Sequence, residues 1–544
     1  MNATFRAPLL WVLLPWMMGY WLADRFDQVE PTVFGCLALS ALSASVVFTR
    51  LRNWGLAFVI GALCAGGFYY SSTEGSRKVR EPWISMPIRE LELVLEVTRT
   101  FDREDPFGRL SGIAEIREAP SVRPDLIGKR VHFLLKTNTG DATHASKGWL
   151  VRAIGLLEPR LPFSDDGFER YLHHAGVGYE FRRGTIFESA DTSGSFARFC
   201  KAANQKLEVI LRQGDEEPSK AADIGVAMIL GKKTVLNADY KGRYLTAGVM
   251  HLFAISGLHV GVVATILAFI FRWLPGPKLL EALCGLALLF LYVEVTGGTP
   301  SAMRAFTMVS FWWFARLLGR PGSALPALVA SAFFALLLTP RDLWNLGFQL
   351  SYCVVAAIIL YGAPLASRLQ SAWEPWAYLP SREHTLFRRC AIFSCKWFSG
   401  ALGVSFAATL ASAPLTMDHF GVFTPGAILL NVFLVLLAGA AILCGFASIV
   451  CGLASLTFFS SWINHLQWGL IWLMDGFVNA FLAIPGFFQN AEVTSPQTAS
   501  VVVVGTLVLF LILGRRIQFA ASWICLLPLV PLLCLYFFAT KSTW

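Results

Sequence analysis

The chain has 544 residues, 55% of them hydrophobic and 15% charged, with a mean hydropathy of +0.56 and a formal net charge of +9. This is too apolar for a soluble protein of that length and indicates a polytopic membrane protein. The charge is no sign of nucleic-acid binding. Ser71–Leu245 holds 27 Lys/Arg against 25 Asp/Glu, and the excess lies in loops of the apolar part.

In chain order, spans are expected at Pro8–Leu22, Pro31–Phe48 and Trp54–Tyr70. The first is short and lacks a small-residue cleavage site, so it reads as an uncleaved anchor. A polar region then runs from Ser71 to about Tyr244. Within it LELVLEV (Leu91–Val97), LSGIAEI (Leu110–Ile116), VHFLLK (Val131–Lys136) and WLVRAIGLL (Trp149–Leu157) alternate apolar and polar residues between Pro, Gly and Asp clusters. That pattern predicts half-buried antiparallel strands, followed by a Pro-rich bend, a short helix near Phe168–Ala175 and a last strand. About five short strands in about a hundred residues fit a small β-barrel of the OB kind. Phe163, Phe168, Tyr171, Tyr179 and Phe181 offer rings on which bases could stack, with Phe168, Tyr171 and Tyr179 the DNA-contact candidates. The same spacing also serves a barrel core. Ala197–Gln213 reads as an amphipathic helix suited to a membrane surface.

Apolar segments resume at Val249–Trp273, Leu279–Val295, Ser301–Leu318, Ser323–Leu338, Leu343–Leu365, Trp397–Met417 and from Val422 onward. The expected domains are therefore 1–70 (N-terminal spans), 71–190 (OB-like barrel), 191–245 (helical connector), 246–440 (a transmembrane domain) and 441–544 (further spans). Basic residues cluster in alternate loops: Arg6, Arg50 and Arg52; Arg272 and Lys278; Arg316 and Arg320; Arg368 to Lys396; Arg515 and Arg516. The positive-inside rule makes these cytoplasmic and places residues 71–245 outside the cytoplasmic membrane. Reading Val422–Ser460 as two spans and Trp462–Ile484 as a third puts Arg515 and Arg516 on the wrong side. Asn464, His465 and Asp475 make Trp462–Ile484 the candidate for an interfacial or re-entrant segment.

Ten of the eleven cysteines lie in or beside apolar segments, as small hydrophobes do, and Cys390 and Cys395 near His384 lack metal-ligand spacing. MILGKKT (Met228–Thr234) departs from a phosphate loop: Gly225 is one place too early and Lys233 stands where Ser/Thr is needed. No HExxH helix and no GxSxG frame around Ser256 occurs. No catalytic residue, cofactor or metal site is expected, and the chain reads as a non-enzyme.

Polar groups inside apolar runs remain. MHLFAISGLHVGVVATILAFIFRW (Met250–Trp273) carries His251, Ser256 and His259, with Ser256 and His259 expected on one helix face. Gly257 and Gly261 form a small-xxx-small stripe for close approach of another helix. EVTGGTPSAMRAF (Glu294–Phe306) has a Gly-Gly-Thr-Pro break at Pro300 and Ser301, with Arg304 one turn on. NLGFQLSYCVV (Asn345–Val355) places Gln349 and Ser351 in a span, and ASAPLTMDHFGVFTPG (Ala411–Gly426) is expected to break at Pro414 before Asp418 and His419. Each alone is explained by helix–helix hydrogen bonding. Together they suit the lining of one polar path.

These runs carry a resemblance. AMILGKK (Ala227–Lys233), MHLFAISGLHVG (Met250–Gly261), TGGTPSAMRA (Thr296–Ala305), GFQLSY (Gly347–Tyr352) and APLTMDHFGVFTP (Ala413–Pro425), with Asn431 shortly after, resemble in order the ComEC family of competence proteins. GLLEPRLPFSDDGFERYLHHAGV (Gly155–Val177) is similar to that family's OB-like domain. Two departures stand out. Lys232 and Lys233 occupy the place of an acidic–basic pair, and no HxHxDH motif of the metallo-β-lactamase-like domain found in many members is present.

The resemblance implies an inner-membrane channel admitting single-stranded transforming DNA. It also implies an external DNA receptor, a cytoplasmic helicase-like ATPase and a separate nuclease as partners, beside membrane lipids. Two alternatives stay open: an intramembrane hydrolase using His/Ser/Asp groups with a metal or water, and a scaffold of a competence apparatus without a pore.

Overall fold

The computed structural model describes residues 7–26, 29–47, 54–74, 88–101, 109–121, 123–137, 147–160, 167–215, 219–232, 238–253, 255–273, 276–320, 322–376, 385–493, 496–514 and 525–541. Phe163, Lys233, His384, Arg6, Arg50, Arg52, Arg515 and Arg516 lie outside them. The fold divides into two compact units, one of residues 8–199 and 333–345, the other of 1–7, 200–332 and 346–544.

The first unit begins with α1 (Leu10–Arg25), α2 (Pro31–Val47) and α3 (Trp54–Glu74), where α3 packs on both others. A Cβ on Gly19 or Gly66 would run into backbone of the facing helix, so glycine sets the distance between α1 and α3. Tyrosine hydroxyls then reach the end of α11 (Ala324–Leu338): Tyr20 donates to the Leu336 carbonyl at 3.0 Å and Tyr69 to that of Leu337 at 2.5 Å. Carbonyls in a last helical turn have no partner within the helix, and these two are satisfied from elsewhere in the chain.

The barrel of this unit is built from β1 (Ile88–Phe101), β2 (Leu110–Glu118), β3 (Arg130–Thr137), β4 (Trp149–Pro159) and β5 (Val177–Asp191). They close in the order β1-β2-β3-β5-β4, with β3 and β5 parallel and every other pair antiparallel. The two-residue period turns Leu91, Leu93, Leu95 and Val97 inward against Val131, Phe133, Leu135, Tyr179 and Phe181. The five expected strands all form, and the short helix is α4 (Gly167–His174).

The second unit is helical: α5 (Ser195–Leu211, in this unit from Cys200), α6 (Lys220–Leu230), α7 (Ala238–Thr246), α8 (Gly257–Trp273), α9 (Lys278–Val295) and α10 (Pro300–Leu317). After α11 come α12 (Leu346–Ala357), a π turn at Ile358–Gly362, α13 (Ala363–Ala372), α14 (Leu386–Phe420), α15 (Ala427–Leu453), α16 (Thr457–Leu482), α17 (Pro496–Gly514) and α18 (Leu529–Ala539). Among the described residues four helices are long and apolar enough to cross a bilayer: Trp54–Thr73, Leu346–Ala372, Leu386–Phe420 and Ala427–Leu453. The chain is a polytopic helical membrane protein with a small barrel.

Several expectations are corrected. Met250–Trp273 is not one helix: a 3-10 turn at Met250–Phe253 precedes α8, which starts only at Gly257. Val422–Ser460 holds one helix, α15, rather than two, because nothing in its apolar run stops a helix before Ala454. α14 continues through Pro414 to Phe420, ending at the left-handed Gly421 (φ +63°). A proline removes one backbone bond, and here flanking helix tolerates that loss. Trp462–Ile484 lies, as far as Leu482, in one continuous helix, α16, rather than a re-entrant turn; its Ser460, Asn464 and Gln467 are buried while Phe458, Trp462 and Trp472 face outward, and it is not among the four span-length apolar helices.

Asn464 explains its own burial. Its amide donates to the Ile210 carbonyl at 2.8 Å and to that of Gln213 at 3.0 Å, closing the C-terminal end of α5. Replacing Asn464 by Ala strands both carbonyls in an apolar surround. It should cost about 1–3 kcal/mol, read as a lowered unfolding temperature of the detergent-solubilised chain, whereas Trp462→Leu on the exposed side should change it little.

Candidate functional site

At one place on the barrel wall, α4 lays Phe168 and Tyr171 beside Phe101 at the end of β1 and His132 on β3. Phe168 and Tyr171 are stacked, with centroids 6.2 Å apart, and Phe101 stands edge-on to both at 5.5 and 6.1 Å. Arg99, exposed, donates to the Tyr171 hydroxyl at 2.7 Å and lies over the rings of Tyr171 (5.5 Å) and Phe101 (5.7 Å). The rings are partly accessible, so this is an aromatic shelf with a cation at its rim. Tyr179, expected beside Phe168 and Tyr171, is fully buried in the barrel core, where its ring has no face to offer a base. The alternation that made it a candidate points it inward. Arg99, Phe101 and His132 were missed, since they fall on strands where nothing marks them apart from alternation.

Beneath the shelf runs an ionic network. Glu180 meets His132 at 3.3 Å and Arg182 at 2.7 Å, and Arg160 pairs with Glu169. Burial alone would raise the Glu180 pKa, but hydrogen bonds from His132 and Arg182 outweigh it and bring it down to about 2. Burial holds the Arg160 guanidinium below its ordinary value.

In the helical unit the sequence motifs come together. α6 ends at Gly231 in the left-handed region (φ +72°), with Ile255 and the Thr296 carbonyl 3.0 and 3.5 Å from where a Cβ would stand. Tyr292 donates to the Ile229 carbonyl at 3.3 Å, and Lys232 pairs with Glu208 at 2.6 Å. Ser256 precedes α8 rather than sharing a face with His259. Its hydroxyl accepts from Leu258 N–H at 3.3 Å, while His259 Nδ1 accepts from Ser256 N–H at 3.3 Å and lies 3.1 Å from the hydroxyl. This is a capping box with imidazole as its return partner, which assigns the ring proton to Nε2. His259 is fully buried and the Met228 carbonyl lies close to its ring; His251 is accessible.

Arg304, buried, donates to the Gly347 carbonyl at 2.8 Å and ties α10 to α12, where Gln349 and Ser351 are half-buried. Pro300, exposed, and Ser301, half-buried, begin α10 after the Thr296–Thr299 turn. His419 lies 3.1 Å from Asp418 at the end of α14, and Thr424 packs against Gly248, just before the 3-10 turn. Gly257 and Gly261 are not a helix contact. Among the described residues no atom lies within 4 Å of where a Cβ would stand on either, so with the exposed Thr265 one turn further they leave an open stripe along α8. Among the described residues no three His, Cys, Asp or Glu are grouped to hold a metal ion.

The competence protein family model matches residues 228–519. ComE operon protein 3 of Bacillus subtilis (strain 168) is 33% identical over 143 residues, covering 26% of this chain and 18% of that protein. The uncharacterized protein YcaI of Escherichia coli (strain K12) is 25% identical over 197 residues, 34% of this chain and 26% of its own. An uncharacterized protein of Aquifex aeolicus (strain VF5) is 30% identical over 138 residues, 25% and 32%. The match thus spans less than a third of each relative's length. No solved structure matches the chain.

The depressed Glu180 pKa makes barrel stability depend on acid. The unfolded carboxyl protonates near its ordinary value of 4.5, the folded one near 2, so the stabilisation is complete above about pH 4.5 and disappears as pH falls towards 2. Thermal unfolding between pH 5 and 2.5 should lose up to about 3 kcal/mol from this group. Glu180→Gln should start less stable and show a flatter profile.

Proposed function

Because the chain belongs to the competence protein family, we propose that it is a cytoplasmic-membrane channel that passes single-stranded DNA inward during natural transformation. The observation that carries the reading is that motifs spread over residues 227–425 meet at neighbouring helix ends, Gly231 against Ile255 and Thr296, Arg304 bonded to Gly347 and Thr424 against Gly248, beside the Gly257–Gly261–Thr265 stripe. A face of α8 without side-chain bulk and without a packed neighbour among the described residues suits a path. In this reading His251, Pro300, Ser301, Gln349, Ser351, Asp418 and His419 border the path. Ser256, His259 and Arg304 fix the helices that form it.

The barrel, within the extracytoplasmic residues 71–245, takes the strand first. Its bases stack on Phe101, Phe168 and Tyr171, and Arg99 meets a phosphate. A helix-by-helix count supports this orientation. With α15 as a single crossing, and with the less apolar α16 taken as another, the four helices α14 to α17 bring Gly514, and the basic pair that follows it in the sequence, to the side of Arg272 and Arg316. The sequence carries no nucleotide-binding motif of a motor, and in this reading a cytoplasmic ATPase pulls. An external receptor delivers DNA, and a separate nuclease removes the other strand.

The test follows labelled DNA in cells lacking the protein and complemented with wild type, Gly261→Leu or Tyr171→Ala. A Cβ at residue 261 meets no described atom within 4 Å. If the stripe is the path, it should cut cytoplasmic label about tenfold or more at normal protein level. If the stripe faces lipid, uptake should match wild type and the assigned path is wrong. Unchanged uptake in the deletion strain refutes the channel itself.

A further inference from the structure

Away from the aromatic shelf, β1, β4 and β5 enclose a cleft of about 570 Å³ lined by Glu90, Gly155, Arg182, Arg183, Thr185 and Phe187 among others. The sequence pattern of β5 breaks there. Val177, Tyr179 and Phe181 point inward, then Arg182 and Arg183 both face out before Gly184 turns in again. One residue is extra, and the pairing slips accordingly, against β4 between Ile154 and Leu156 and against β3 between Phe133 and Leu135. Arg183 absorbs the bulge at φ +53°, a left-handed conformation that side chains disfavour. On the cleft's other side Glu90 does the same at φ +54°, where β1 slips against β4 between Ile88 and Leu91.

The strain gains nothing inside the protein. Arg182 is held by Glu180 at 2.7 Å, but Arg183 and Glu90 make no hydrogen bond or ion pair among the described residues. Beyond the bulge Thr185 and Phe187 share the outward side, and Phe187 is 62% exposed. Bulges re-aim side chains, and strained backbone concentrates where a ligand is held.

We propose that this cleft takes one unpaired nucleobase of the translocating strand, stacked on Phe187 and hydrogen-bonded at its edge by Arg183 as donor and Glu90 as acceptor. The inference rests on the single-strand reading above and adds a second contact to the barrel. A base fits better than a phosphate, because Glu90 and Glu158 on the rim repel a backbone anion while a base edge offers acceptors to Arg183 and donors to Glu90. Duplex DNA hides the base face and its Watson–Crick edge, so the cleft favours single strands.

Binding of a fluorescent oligo-dT to the detergent-solubilised full chain, followed by anisotropy, tests it. Phe187→Ala should weaken binding about tenfold and Arg183→Gly about fivefold. Glycine suits φ +53°, so Arg183→Gly should melt no lower than wild type. A duplex of equal length should be insensitive to both changes. If both variants bind oligo-dT as wild type does while Tyr171→Ala binds less tightly, the cleft assignment falls and the strand reading stands. A loss with Arg183→Gly alone means a backbone contact and overturns the nucleobase. If wild type does not bind oligo-dT, the single-strand reading falls with it.

Discussion

A helix that stops inside an apolar unit leaves backbone groups without partners, and in hydrocarbon each such group costs several kcal/mol. The region around residues 227–305 is organised by that cost. α6 stops at Gly231, α9 at Val295, and α8 and α10 begin at Gly257 and Pro300. Each end is answered by a group from the next segment or its own. Ser256 and His259 close the start of α8, Tyr292 takes the Ile229 carbonyl, Asn204 takes that of Val295 at 2.8 Å, and Thr296 returns to Val293 at 2.9 Å. Pro300 sits at the first position of α10, where no N–H is needed. Four interrupted helices are affordable only because they are interrupted together.

The same device recurs at the ends of α11 and α5, where Tyr20, Tyr69 and Asn464 supply the missing donors. Polarity within a span is therefore a poor guide to a path. His259 and Arg304 are conspicuous in sequence, yet both are buried and bonded to backbone or to a cap. The less conspicuous Gly257, Gly261 and Thr265 leave one stripe of α8 without packed neighbours among the described residues. On the proposed reading structure and conduit are separate demands, and it is the small residues that answer the second.

The barrel was legible because a two-residue period and turn clusters are local signals, and all five strands follow them. The competence-type motifs were equally plain as strings. Helix ends within apolar runs were not. Nothing in MHLFAISGLHVG marks Ser256 as a cap until His259 is seen to fold back onto it, and nothing in Val422–Ser460 distinguishes two short spans from one of 27 residues. Aromatic roles failed for a related reason. Tyr171 and Tyr179 differ only in which side of the wall they face, and that depends on the register of β5 and on α4, both set by pairing across the chain.

Charge separates the ways a barrel can hold a strand. With 27 basic and 25 acidic residues, the region from Ser71 to Leu245 has almost no net field to draw a polyanion, and Arg117, Arg123, Arg152, Arg160 and Arg182 are occupied by carboxylates. On the proposed reading, affinity must then come from ring faces and a few uncommitted groups rather than from counterion release. That suits a conduit. A strand gripped through many phosphates would be slow to leave each site, whereas conduction needs binding strong enough for entry and weak enough for release. Stacking acts on one base at a time and accepts any base, so on that reading a strand can step across it without regard to its sequence.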